Sequence, residues 1–279
     1  MTSRDTGTRI RKAPAERRHE IIRAAARVGL AEGLECVTLR RIADELGVQP
    51  GLVGHYFPAA DTLVADAFTS ATMAELDGLL PAAPAHPADL ERPKDPAAPA
   101  DPGHPESPTA SKDPAAPADP GHPESPTASK DPAAPADPDR PGHKDPLSTL
   151  RRFFTLIAST EFDNVSKLWL NARHLSRYRP VLRDHVIDQE LLWCRRIEQL
   201  IATGTSAGVF RCANPWTAAV RILVAIDGSS AYINTSADTR TAPIADLART
   251  VAETELALPP GSLAAEGTTM LPYTSTGPR

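Results

Sequence analysis

From Pro81 to Pro141 every third residue is proline, interrupted only at Leu90, Ser111 and Ser129. Rings at that spacing stack along one edge of a polyproline II helix, which turns once in three residues and makes no internal hydrogen bonds. The stretch is built from the unit KDPAAPADPGHPESPTAS, which runs from Lys94 to Ser111, recurs from Lys112 to Ser129 and restarts at Lys130. Leu90 is almost its only large apolar side chain, so burial cannot offset the entropy of ordering it. Nineteen of the 29 prolines lie between Pro81 and Pro146, which predicts a long disordered proline-rich insertion over residues 81–146 and leaves the flanks to supply the core. Loop closure costs roughly (3/2)RT ln n, so stretching a connection from roughly six residues to about sixty-six adds only about 2 kcal/mol. A domain tolerates that.

On both sides of the insertion the pattern is helical. Residues 15–32 place Ile21, Ile22, Ala25, Val28 and Gly29 on one face and most arginines on the other. A fourth helix runs through Leu63, Phe68, Met73, Leu76 and Leu80, with Asp61 as its expected cap and Pro81 as its stop. Beyond the insertion, Asp145 and Pro146 form a cap and first-position pair for a helix through Leu150, Phe153, Phe154 and Ile157. Further helices are expected over 163–178, 181–203, 215–233 (from Asn214 and Pro215) and 243–257. Strand signals are absent, so the fold class is all-α.

The longest aliphatic run, Ile222 to Ile226, is bounded by Arg221 and Asp227 and is too short to span a bilayer, which predicts no membrane partner. Cys36, Cys194 and Cys212 lack the spacing of a disulfide framework or a metal site. The start of the chain has basic residues but no apolar segment behind them, and the expected location is the cytoplasm. Net charge is −5, yet residues 1–27 hold eight Lys or Arg against three acids. A local basic surface on an acidic protein suits one-sided contact with a polyanion.

The most informative stretch is TLRRIADELGVQPGLVGHYF, residues 38–57. Thr38 supplies an N-cap oxygen, Leu39, Ile42 and Leu46 form an apolar stripe, and Ala43 is small where a second helix must approach. Gly47 permits the positive φ of a tight corner, Pro50 opens the second helix, and Val48 and Val53 lock it onto the first. Gln49, Gly51, Leu52, His55 and Tyr56 are left facing outward, with an amide, an apolar surface for a thymine methyl, and two polar rings within reach of base edges or phosphates.

This region resembles the N-terminal domain of tetracycline-repressor (TetR) family regulators, and PGLVGHYF most resembles the choline-sensing betaine-regulator branch. The resemblance covers residues 14–80 and resumes from 147 to 258 through KLWLNARHLSRYRPVLRDH, the Gly208–Arg211 turn and Ile226-Asp227-Gly228. Gln49, Gly54 and Ala60 depart from the common family pattern, which more often has Ser or Thr, Tyr, and Lys at those places. The resemblance implies a flexible basic arm (1–14), a helix-turn-helix DNA-binding domain with a connecting fourth helix (15–80), the insertion (81–146), a helical-bundle ligand-binding and dimerisation domain (147–258) and a disordered tail (259–279). It implies a homodimer paired through its last two helices, with a palindromic double-stranded operator as partner. Thr38, Arg40, Gln49, Pro50, Gly51, Leu52, Gly54, His55 and Tyr56 are the DNA-contacting residues so implied. A small-molecule effector of unknown identity would move the fourth helix.

Trp169, His174, Tyr178, Trp193 and Tyr232 are aromatic or polar-tipped residues on helices expected to line a bundle interior, and Asp227 follows an apolar run. Together they are the candidate ligand site, where aromatics and a carboxylate would suit a cation. Ala218, Ile222 and Ile226, with Gly228, Ser229 and Ala231, suit close packing across a subunit interface. Gly204-Thr205-Ser206-Ala207-Gly208 imitates a hydrolase nucleophile elbow, but an elbow follows a strand and this segment ends a helical pattern. No catalytic residue, metal ligand or cofactor is expected, and the chain reads as a transcriptional regulator, a ligand-responsive repressor, and not as an enzyme. A dimeric scaffold acting through its Pro-x-x-Pro tract is the competing reading.

Overall fold

The structure is a computed structural model that describes residues 13–81, 145–235 and 242–264. The expected basic arm through residue 12, the insertion from 82 to 144 and the chain from 265 lie outside the described residues. Among those described, every regular element is helical.

Helix α1 (Pro14–Glu32) opens on a proline, whose missing N–H costs nothing in a first turn, and buries Ile21, Ala24, Ala25 and Val28. A 3-10 turn over Leu34–Cys36 leads to α2 (Leu39–Leu46) and α3 (Pro50–Tyr56). Helix α4 (Ala60–Leu79) starts one residue before Asp61, with Ala59 at the cap position and no side-chain cap bond. Asp61 is therefore not the cap. It sits in the first turn, where a carboxylate favours the helix dipole, and lies 3.8 Å from Arg179.

Asp145 caps α5 (Pro146–Ile157) as expected, its carboxylate accepting from Ser148 N–H at 2.9 Å, and Pro146 is buried. These two residues therefore belong to the helical body and not to the insertion. Its continuation is α6 (Asp163–Ser176), α7 (Pro180–Ser206) and α8 (Pro215–Ile233), the last capped by Asn214. The helix expected over 243–257 forms as two pieces, α9 (Ala242–Ala245) and α10 (Leu247–Glu255). Residues 259–264, expected in a disordered tail, fold onto the helical body. Leu263 is fully buried, the Glu253 carboxylate accepts from the N–H groups of Gly261 and Leu263 at 2.9 Å each, and Arg151 donates to Ser262 O at 2.7 Å.

Helix α4 packs on α1 at one end and on α7 along its length. Arg18 pairs with Asp66 at 2.5 Å, Thr69 Oγ1 and His185 Nδ1 are 2.8 Å apart, and the buried Thr72 hydroxyl lies 3.0 Å from Gln189 Oε1. Two arginines hold its C-terminal carbonyls: Arg152 of α5 donates to Gly78 O and Leu79 O, and Arg196 of α7 donates to Leu80 O at 2.6 Å. The last turn of a helix carries unsatisfied carbonyls and partial negative charge, so two guanidinium groups stabilise it doubly. Helix four is thus tied firmly where the chain enters the insertion.

The hydrolase-like glycines end α7. Gly204 O accepts from Val209 and Phe210 N–H groups, Gly208 takes φ +73°, and the Phe210 ring lies across Gly204 so closely that a Cβ there would stand 2.3 Å from it. The first glycine is required by that ring. No helix among the described residues is long and apolar enough to cross a membrane.

Candidate nucleic-acid interface and effector pocket

Helix α2 begins at Thr38, whose Oγ1 accepts from Arg41 N–H at 3.1 Å. The hydroxyl accepts this bond and keeps its own proton to donate outward. At the other end Gly47 is left-handed (φ 62°, ψ 37°), and Val48 N–H returns to Ala43 O at 2.9 Å. That turn redirects the chain within three residues. Ile42, Ala43 and Val53 are buried at the crossing, whereas Leu39 and Leu46 are half-buried at its edges. Arg18 stacks over the Phe57 ring, 4.9 Å from its centroid, tying the end of α3 to α1.

The outward face is not spent on the fold. Gln49 occupies the cap position of α3 without bonding to its own helix, and Gln49, Pro50, Gly51 and His55 are exposed. Leu52 and Tyr56 are half-buried rather than fully outward, Tyr56 resting on the core with its ring edge to His55 at 5.4 Å. A Cβ on Gly51 would meet nothing, and one on Gly54 only Leu39 at 4.0 Å. The chain's own packing demands neither glycine.

The two arginines of α2 differ. Arg41 is bound by Glu32 at 2.5 Å and Glu45 at 3.0 Å, and hydrogen bonding to Arg41 holds the Glu32 carboxyl below its ordinary value. Arg40 is exposed and makes no such pair among the described residues. Arg40 is the one named from sequence.

In the helical body the structure brings together only part of the predicted ligand site. Trp169 and Trp193 are buried, with ring centroids 6.1 Å apart and nearly perpendicular planes, and Phe68 of α4 meets Trp169 at 5.0 Å. Asp227 joins them along a slot between α6, α7 and α8 that Phe162, Ser166 and Arg173 also line. His174, Tyr178 and Tyr232 do not line it: His174 and Tyr178 meet edge to face on the surface, and Tyr178 and Tyr232 are 75% and 62% exposed.

Sequence reasoning missed Arg173. Its guanidinium carbon lies 5.0 Å above the Trp169 ring, Nη2 donates to Asp227 at 2.6 Å and Nε to Glu190 at 2.8 Å. Burial pushes the Asp227 carboxyl above its ordinary value against the opposing pull of Arg173. Burial works against Arg173's charge too, but Asp227 and Glu190 outweigh it and hold the guanidinium more basic than usual. Only the four-residue step from Trp169 to Arg173 was visible in advance, since both acids come from other helices. With the arginine seated, the slot encloses about 10 Å³, at most a single water. A separate cavity of about 120 Å³ lies between α5, α8 and α10, walled by Phe154, Ile157, Ile226, Ile233 and Ala248.

The interface stripe expected on α8 is turned inward in part: Gly228 is exposed and Ala231 half-buried, but its other members are not available to a partner. Ala218, Ile222, Ile226 and Ser229 are buried in the subunit's own core, whereas Trp216, Val224, Gly228 and Tyr232 face outward.

Residues 21–67 match the model for bacterial regulatory proteins of the tetR family. They form a TetR-family domain. The described helices extend that likeness beyond the matched segment. The chain is similar to a TetR transcription regulator from Haloarcula marismortui (18% identical, covering 87% of this chain and 97% of that one, TM-score 0.55). A regulator from Saccharomonospora viridis, solved in complex with choline, is 19% identical over 85% of this chain and 94% of its own, with TM-score 0.53. A TetR-family regulator from Rhodococcus sp. is 16% identical over 87% and 99%, with TM-score 0.55. At these identities the likeness is one of fold. No curated protein matches the chain.

Proposed function

We propose that the protein is a sequence-specific DNA-binding transcriptional regulator, a ligand-responsive repressor that reads a palindromic operator as a homodimer through residues 38–57. One observation carries this reading: among the described residues the helical corner leaves Arg40, Gln49, His55 and the Thr38 proton unspent, beside Gly51, where a Cβ would meet nothing, and Gly54, where it would meet only Leu39 at 4.0 Å. Pre-positioned donors next to bare backbone suit phosphate oxygens and groove edges at close approach. The outward stripe Trp216, Val224 and Tyr232 on α8 is the surface a second copy would cover. The effector enters the body beside Trp169, Trp193 and Asp227, and Phe68 connects that place to α4 and so to the DNA-reading corner. That a regulator sharing the fold was solved in complex with choline supports a small-molecule effector.

Gel-shift titration tests the reading. Thr38→Ala and Tyr56→Phe weaken operator binding, and log K falls steeply with log salt because a dimer displaces counterions from several phosphates. Unchanged affinity in both variants with a flat salt response overturns it.

A further inference from the structure

Where α6 hands over to α7, an acidic protein turns basic. Residues 173–185, RHLSRYRPVLRDH, hold four arginines and two histidines against one acid, Asp184, while the whole chain carries a net charge of −5. We propose that this turn is a second DNA-contacting surface, meeting the phosphate backbone beside the stretch read by residues 38–57. The inference rests on the DNA-binding reading above and extends the contact from the helical corner to the body.

The cations of this turn are divided between the fold and the solvent. Arg173 is taken up by Asp227 and Glu190. Arg179 lies 3.8 Å from Asp61 and offsets the charge of that carboxylate in the first turn of α4. Arg177 and Arg183 are exposed and make no ion pair among the described residues. Tyr178, beside Arg177, is 75% exposed, and its ring meets that of the exposed His174 edge to face at 6.0 Å. Guanidinium groups and a phenol hydroxyl are donors that phosphate oxygens accept from, whatever the base sequence.

Two contacts set the turn against the DNA-reading corner. One helical turn before His174, Asn171 Oδ1 accepts from Leu34 N–H at 2.8 Å and Asn171 Nδ2 donates to Glu35 at 2.8 Å, in the connection that leads to Thr38. On the other side Arg179 reaches Asp61, just beyond the end of α3. The turn is thus held between the entry to α2 and the exit from α3. Residues 58–62 bring no cation of their own to that exit, and Arg18, which stacks on Phe57, is paired with Asp66. Unpaired positive charge on this side comes from Arg177 and Arg183. A phosphate within a Debye length, about 10 Å at 0.1 M salt, is attracted by such charges even without direct contact.

The test is fluorescence-anisotropy titration of the full chain over a range of salt concentrations, with a pooled random-sequence duplex and with the sites that selection from it recovers. Arg177→Gln with Arg183→Gln removes up to about four phosphate contacts per dimer. The slope of log K against log salt becomes shallower by about two to four, and affinity at low salt falls at least about tenfold, by the same factor on selected and random DNA. Arg211→Gln with Arg221→Gln removes the same charge from exposed positions beyond the far end of α7, about 40 Å along that helix, and leaves the slope unchanged. Should the first pair unfold the turn, Arg177→Gln alone gives half the change. A slope equal to that of the distal pair overturns the proposal and leaves the regulator reading standing. A loss confined to the selected sites overturns the phosphate assignment, since a backbone contact carries no sequence. Wild-type protein with no affinity for either duplex overturns both readings.

Discussion

Gly54 and Gly204 both sit in helices, and their surroundings are opposite. Gly204 is pressed by the Phe210 ring, so the fold accounts for it completely. A Cβ at Gly54 would meet only Leu39, at an ordinary 4.0 Å, so a methyl group fits there, in a short helix that loses stability by containing glycine. A residue the fold pays to keep without using it points to something outside the fold. The same contrast separates the two arginines of α2: Arg41 is consumed by Glu32 and Glu45, while Arg40 makes no ion pair among the described residues.

The comparison can be broken at either end. Gly204→Ala forces the Phe210 ring out of its place and lowers unfolding free energy by about 1–3 kcal/mol in urea titration, the ordinary cost of overpacking. A neutral result would mean the ring has room to yield. Removing the guanidinium that closes α4, by Arg196→Met, costs about 1–2 kcal/mol in the same measurement, because charge-assisted bonds to Leu80 O and Asp77 are lost at a partly exposed site. If stability is unchanged, the helix end is held without it.

Gly54→Ala reverses the sign. It stabilises the protein by up to about 1 kcal/mol through helix propensity and weakens operator binding, the first read by denaturation and the second by gel shift. Gain in stability with intact DNA affinity would remove Gly54 from the groove. The smallest effect belongs to Glu75, whose carboxyl is pushed up by burial and by the Glu161 charge. A raised carboxyl pKa means the folded state favours the protonated form, so stability is fullest at low pH and falls as pH rises through that group's titration. Glu75→Gln therefore raises unfolding free energy at neutral pH by less than about 1 kcal/mol at this half-exposed site, and the advantage fades below the carboxylate range. An equal advantage at all pH values would assign it to packing.

What could be read from sequence followed from local rules. The Thr38 cap, the Gly47 corner, Pro50 opening α3 and the Asn214–Pro215 start each involve residues within a few positions of one another, and each formed as expected. The helical stripe of α8 was legible as apolar, but periodicity does not say whether its partner is the same subunit or another, and Ala218, Ile222 and Ile226 turned out to face inward. The seat of Arg173 joins residues 54 positions apart, and no spacing reports that. The burial of Glu253 depends on N–H groups of Gly261 and Leu263, eight and ten residues further on, which no helical periodicity reports. Aromatic identity alone placed Tyr178 and Tyr232 in a pocket they do not line.

On the proposed reading, a helical corner at residues 38–57 reads the major groove twice through a paired molecule. Selection of bound sites from a random duplex pool tests it most directly. The account predicts enrichment of an inverted repeat with half-sites about one helical turn apart, lost when Gln49, His55 and Arg40 are replaced by alanine. A pool that emerges with no sequence preference, from protein shown to be folded, contradicts it.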